Sequence, residues 1–431
     1  MKGLVKTLLY KILSALKQNS ISVYLINETI QETVELFFIK KRLDMRRQKK
    51  VHHYSVTIYN DFEKNSVKMR GSSSVGIHNG MTESEIIKAL KDAYFAASFV
   101  CNPYYELPSG TREDLVQMES TLATGTLAEN AGKMTEALFA EDIQEDTFIN
   151  SAELFLENNT EHIINSNGID VSFQKYSAKG EFVVQCTAPQ DVETYQNFSY
   201  DDLNTEAIKG KVKQTIEITR ARAQASSAPS AGDYNVIISG KYVKELFEYY
   251  IARSSASMVY PKYSNYELGC NVQGNEVTGE LLNIMLKAKE PYSEEGTKMV
   301  DRPLLVNGSL QTIHGNSRFA YYLGINPTGS YNSILVSPGT RSFVEMKKEK
   351  YLHVVNFSDF QMDPFSGHFA GEIRLAFLYD GSTITPVTGG SINGSLLEAQ
   401  KKLVFSKEMQ IESGYEGPFA VYLEKVSVAG A

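Results

Sequence analysis

Cysteine is scarce, long apolar runs are missing, and none of the familiar local catalytic signatures occurs in this 431-residue chain. Its three cysteines, Cys101, Cys186 and Cys270, are odd in number and widely spaced, which excludes a disulfide framework and a CxxC metal or redox pair. They read as buried free thiols in a reducing compartment. No stretch approaches the roughly 20 apolar residues that cross a membrane. Lys6, Lys11 and Lys17 interrupt the apolar N-terminus, and no small-residue cleavage site follows, so it does not read as a signal peptide. Instead Val5, Leu8, Leu9, Ile12, Leu13 and Leu16 share one helical stripe, which predicts an amphipathic surface helix. A cytoplasmic location is the expectation, and the sequons at Asn27 and Asn307 then carry no meaning.

The missing motifs narrow the chemistry. Without a G-x-S-x-G elbow, a Walker A loop or a Rossmann fingerprint, nothing supports a serine hydrolase, an NTPase or a dinucleotide enzyme. A zincin grips its metal with histidines one helical turn apart, but no histidine here has a partner three to five residues away. His52 and His53 are adjacent, and strand neighbours point to opposite faces. His368 and Glu372 lie in a strand-like context that would hold their Cα atoms roughly 13 Å apart. A net charge of −8 and a pI near 5.6 argue against general nucleic-acid affinity. The basic run Lys40–Lys50 (KKRLDMRRQKK) lacks interleaved aromatics and reads as a solvated hairpin end rather than a phosphate-binding patch.

What is present predicts an α+β chain of two domains. The first, residues 1–223, mixes strands at Ile21–Ile26, Thr33–Ile39, Tyr54–Tyr59, His162–Asn165, Asp170–Ala178 and Glu181–Ala188 with helices. Thr82 and Glu85 form a capping box that opens a helix whose apolar face holds Ile86, Ile87, Leu90, Ala93, Tyr94 and Ala97. Further helices are predicted at Arg112–Thr121, Leu127–Glu145 and Asp201–Ala225. The small-residue run Gln224–Gly232 (QASSAPSAG) is a linker over 224–232, and residues 233–431 form a β-rich, sandwich- or barrel-like second domain. Glycine turns punctuate it at NGSL (Asn307–Leu310), INPTGSYNS (Ile325–Ser333), SGHFAGEIRLAFLYDG (Ser366–Gly381), SINGSL (Ser391–Leu396) and GYEGPFAVYLEKVSVAG (Gly414–Gly430).

The order of those pieces resembles the C-terminal domain of the TldD/PmbA (TldE) family, once named modulators of DNA gyrase and now grouped with metallopeptidases. Ile163–Gly168 (IINSNG) looks like the family's Asn-Ser-x-Gly turn, Tyr234–Gly240 like the strand before its key helix, and Gly324–Gly329 like its L-G-x-x-x-x-G turn. The resemblance implies one of two subunit types. TldD-like chains carry a zinc-binding H-E-x-x-x-H helix and a late cysteine; PmbA/TldE-like chains share the fold, lack those ligands and pair with a TldD-like chain. Where the zinc helix would fall, this sequence reads KYVKELFEYYIARSSAS (Lys241–Ser257), an amphipathic helix without histidine, and no cysteine follows Ile411.

The resemblance therefore implies a non-catalytic subunit that holds no cofactor, with zinc in a TldD-like partner of a heterodimer, or a homodimer, acting on small unfolded peptides. Such a peptide would add as a strand to a sheet edge. Glu245, Tyr250 and His368 are the candidate groove residues. Two alternatives compete. One is an active metallopeptidase whose ligands are distant in sequence, such as His314, His368 and Cys270. The other is a gyrase- or nucleic-acid-associated regulator working through Lys40–Lys50.

Overall fold

Alternating segments longer than the turn signals suggest build the first half. A computed structural model describes residues 8–430. Helix α1 (Leu8–Gln18) buries Leu8, Ile12 and Leu16 of the predicted stripe together with Ala15, and leaves Leu9 and Leu13 half-buried; Val5 lies outside the described residues. Strands β1 (Tyr24–Ile39), β2 (Arg42–Lys64) and β3 (Val67–His78) follow as an antiparallel meander. The two strands read at Ile21–Ile26 and Thr33–Ile39 are one. Their polar bridge pairs on both sides, Glu28 opposite Tyr54 and His162, Thr29 opposite His53 and Glu161.

Helix α2 (Glu83–Ala97) opens on the predicted capping box, with the Thr82 hydroxyl accepting from the Glu85 N–H and the Glu85 carboxylate accepting from the Thr82 N–H. Beneath its C-terminal end β3 passes at Gly71, where a Cβ would stand 1.8 Å from the Ala97 carbonyl oxygen. The helix expected at Arg112–Thr121 is not there. After β4 (Asn102–Pro103), Arg112–Gln117 is strand β5, a charged edge strand, and Thr121–Ala123 is one 3-10 turn. Helix α3 (Leu127–Phe139) stops short of Glu145, and β6 (Thr147–Asn165) starts far earlier than His162. Polar Glu157–His162 resembles a loop in isolation, but pairing to β1 and to β7 (Asp170–Cys186) holds it extended. β8 (Val192–Tyr200) lines the far side of β7, and α4 (Thr205–Gln224) closes the half.

The eight strands run β4-β3-β2-β1-β6-β7-β5, with β8 beside β5 on β7. Ile26, Val34, Leu36 and Phe38 alternate onto one face of β1. There α1 and α2 cover the first of them, and α3 and α4 cover the others. The opposite face looks toward the second half, where Leu25, Ile163, Val171 and Phe173 pack on Tyr292.

Glycine-bounded short strands make the second half, as expected. In order they are β9 (Gly232–Ser239), β10 (Ile284–Leu286), β11 (Arg302–Val306), β12 (Ser309–Leu310), β13 (Ile334–Val336), β14 (Tyr351–Met362), β15 (His368–Tyr379), β16 (Ile384–Val387), β17 (Ser391–Ser395), β18 (Val404–Phe405), β19 (Met409–Glu412), β20 (Tyr415–Pro418) and β21 (Ala420–Ala429). β14, β9, β21, β17 and β15 pair in that order, and β15 returns to β14, so the sheet closes as a barrel. A second sheet runs β12-β11-β10-β13-β20-β19. Between the two lies α5 (Tyr242–Arg253). Val243, Leu246, Phe247, Tyr250 and Ile251 share one apolar core with barrel residues such as Val236 and Leu352 and with Ile284 and Ile334 of the second sheet.

Candidate functional site

The buried stripe of α5 leaves the other side of the helix for a cleft. Lys241, just before its first turn, and Lys244, Glu245, Glu248, Tyr249 and Ala252 recur at helical spacing and line a cavity of about 1200 Å³. Facing them are Glu193, Thr194, Tyr195 and Asn197 of β8, and the segment Asn356–Met362 of β14. Both are strand edges. Among the described residues β8 pairs only with β7, and β9 accompanies β14 only from Leu352 to Val354, leaving the rest of β14 paired on its β15 side alone. The space continues along the open face of the large sheet as a cavity of about 670 Å³ lined by Glu157, Asn159, Lys175 and Lys179, sharing Lys244, Glu248 and Glu412 with the first.

Charges in the cleft are crowded. Burial, then the neighbouring Glu248, pushes the Glu245 carboxyl up to about 7, against the pull of Lys241 and Lys244. Glu248 instead pairs with Lys244 at 3.2 Å. Burial and the nearby Lys211 charge push the Lys241 ammonium down. Lys211 reaches both oxygens of Glu412, at 2.7 and 2.8 Å.

The three groove residues expected from the sequence do not meet. Glu245 lines the cleft. Tyr250, five positions on and thus roughly 140° round the helix, lies in the core at 1% exposure, its hydroxyl donating to Gln400 Oε1 at 3.1 Å. It is a packing residue. His368 is the exposed first residue of β15, outside the cleft lining, and its carbonyl accepts from the Asp363 N–H. Glu372 faces solvent on the same strand and accepts from the Ser358 hydroxyl.

The distant-ligand set does not assemble either. His314 is buried, with Nε2 at 3.0 Å from the Ile251 carbonyl oxygen, and burial pushes its pKa down. His314, His368 and Cys270 occupy separate places, and among the described residues no three His, Cys, Asp or Glu side chains group to hold a metal ion. The cleft face of α5 offers two lysines, two glutamates and a tyrosine, a donor set that does not fit zinc. The basic run forms the β1–β2 turn at Lys40 and Lys41 and then the exposed start of β2; Lys49 pairs with Glu35, and Lys50 with Glu32.

Sequence reading missed the two strand edges and Lys241, because only sheet register and helix rotation aim them at one space. It also missed a polar knot on the helix-covered face of the large sheet. Glu28 there takes the His52 ring at 2.7 Å, the Tyr54 hydroxyl at 2.5 Å and the His162 ring at 3.0 Å, and His162 reaches Asp170 at 2.8 Å.

An α+β half joined to a closed barrel, with a long polar cleft between them, defines the class of this protein. The family model for the PmbA/TldA metallopeptidase C-terminal domain matches residues 231–430. The fold is that of TldE from Thermococcus kodakarensis, at 15% identity over 97% of this chain and 100% of that one, with a TM-score of 0.76. It is shared with two proteins whose names propose modulation of a DNA gyrase. One is from Thermotoga maritima, at 18% identity, 97% and 99% coverage and TM-score 0.76. The other is from Bacteroides thetaiotaomicron, at 16% identity, 100% coverage of both and TM-score 0.78. Comparison with curated protein sequences gives no match. Residues 231–430 thus carry a C-terminal domain of the PmbA/TldA metallopeptidase type, and the whole chain has the fold of TldE and of those two proteins.

Proposed function

We propose that this chain is the metal-free subunit of a cytoplasmic TldD/TldE-type zinc peptidase complex, holding small unfolded peptides for a TldD-like partner that supplies the metal. The observation that carries this reading is α5. The helix in the position of the family's zinc helix runs along the cleft yet presents Lys241, Lys244, Glu245 and Glu248 there, and no histidine. The edges of β8 and β14 on either side support the peptide part, since an extended chain can add main-chain hydrogen bonds to an unpaired edge with little dependence on its own side chains.

The test is metal content and partnership. Purified untagged and alone, the chain is expected to hold well under 0.1 zinc per chain and to leave unfolded peptides intact. Co-expressed with a TldD-like chain, it should co-purify with it and carry zinc. Near one tightly held zinc per chain, or chelator-sensitive cleavage by the chain alone, would sink the proposal.

A further inference from the structure

We infer that a chamber between α4 and the barrel is a side-chain pocket of the cleft, taking a bulky uncharged side chain, best an aromatic one, from a peptide paired to the edge of β8. The inference rests on the peptide reading above. What carries it is the phase of β8. Among the described residues this strand is bonded on its β7 side alone. The Glu193 carbonyl accepts from the Arg222 guanidinium, and the Asn197 N–H donates to Gln196 Oε1 at 3.1 Å. Both groups belong to odd-numbered residues of the strand. In an antiparallel ladder alternate residues turn their main-chain groups to the same side, so the N–H and C=O of Tyr195, between these two, also face the open edge. Side chains alternate between the two faces. Glu193, Tyr195 and Asn197 line the cleft alone, Gln196 lines the chamber alone, and Thr194 borders both. A strand added to this edge continues the alternation. In antiparallel addition the residue opposite Tyr195 exchanges two main-chain bonds with it and shares its face, so its side chain meets the cleft. The residues on either side of it turn theirs to the chamber.

The walls of the chamber decide which side chain suits it. Ile218 comes from α4, and Val355, Phe377 and Phe419 come from the barrel. All four are half-buried, so each keeps apolar surface that an incoming ring can cover. A cavity of roughly 150 Å³ with apolar walls already admits benzene. At about 250 Å³ the chamber holds the ring of a phenylalanine or a tyrosine. Contact with the rings of Phe377 and Phe419 adds to the gain from burial. The lining charges are of both signs, Lys241 against Glu217 and Glu412, and Glu412 is already held by Lys211 through both oxygens. An ionic side chain there meets repulsion as well as attraction and must also shed its water. Main-chain bonds to β8 then supply affinity, and every second side chain supplies selectivity.

The test uses the full chain and a fluorescein-labelled ten-residue Gly/Ser/Ala peptide, compared with versions carrying a single central Phe, Asp or Lys. The Phe peptide is expected to bind at least tenfold more tightly than the parent, the scale of burying one aromatic side chain. The Asp and Lys peptides should show no such gain. Gln214→Trp, which fills the chamber from the exposed side of α4, should erase the Phe preference, with thermal unfolding checking that the variant folds. With p-azidophenylalanine in place of Phe, photocrosslinks to the wild type should map to Ile218, Val355, Phe377 or Phe419, and that map decides if the variant does not fold. Equal binding of the Phe and parent peptides, an equal gain from Asp or Lys, or crosslinks confined to α5 overturns the pocket while leaving the peptide cleft standing. If no peptide binds, the peptide reading fails and the pocket falls with it.

Discussion

Glu245 and Tyr250 sit on one helix and belong to different worlds. Both were legible as members of an amphipathic helix; which face met the cleft was not, because the stripe is defined by what packs on it. Glu245, half-buried beside Glu248, carries a pKa raised from 4.5 to about 7. A carboxyl raised on folding favours the folded state while protonated in both states, and that advantage is lost as pH rises from about 4.5 through about 7. Glu245→Gln removes the cost of ionising it. Urea unfolding should show the variant more stable than wild type by about 1–2 kcal/mol at pH 8 and equal to it near pH 4. A constant difference across that range would contradict the assignment. His314 is a buried structural donor to the Ile251 carbonyl; Gly315 beside it signals a turn but says nothing of what lies above the turn.

At the level of elements, the alternation of apolar residues predicted strands well and their lengths poorly. Glu157–His162 and Glu28–Gln31 are polar enough to read as breaks, yet they continue β6 and β1 because each finds a partner across the ladder. The Glu28 knot is the strongest such partner set, joining β1, β2, β6 and β7. Burial raises the Glu28 pKa, but the hydrogen bonds from His162, Tyr54 and His52 outweigh it and hold the group down at about 2. The bond to Glu28 in turn raises the His162 pKa above 6.5, against burial. The Glu28 share of stability is therefore present above pH 4.5 and lost as pH falls toward 2, and the His162 share is present below pH 6.5 and lost as pH rises past its raised value. Glu28→Gln is expected to cost about 2 kcal/mol at pH 6, with a smaller loss at pH 9 where His162 is neutral. Equal losses at both pH values, measured by denaturant midpoint, would disprove the charge-assisted account.

Across the whole molecule, polar contacts tie the two halves around the cleft. Lys211 of α4 meets Glu412 of β19, Lys175 of β7 meets Glu290, and Lys298 and Tyr292 both reach Glu113 of β5. Lys211 is the most buried of these cations, at 8% exposure. Removing its partner alone, in Glu412→Gln, strands an ammonium out of water and should cost about 3 kcal/mol. The double variant Lys211→Met with Glu412→Leu should recover most of that loss. A double variant no better than the single one would show that the pair itself, rather than its desolvation, carries the stability.

By itself the sequence determined the class of each half, the glycine-turned β-rich second half, the capped and amphipathic helices, and the lack of a histidine pair on α5. These depend on local periodicity and residue type, which neighbours along the chain already express. Closure of β14 onto β15 into a barrel, the length of β1 and β6, the unpaired edges of β8 and β14, and the meeting of Gln196, Ile218, Val355 and Phe419 around one chamber were decided only by tertiary structure. Each joins residues far apart in the chain, and whether a strand edge is covered or a pocket opens next to it depends on what the rest of the fold brings beside it.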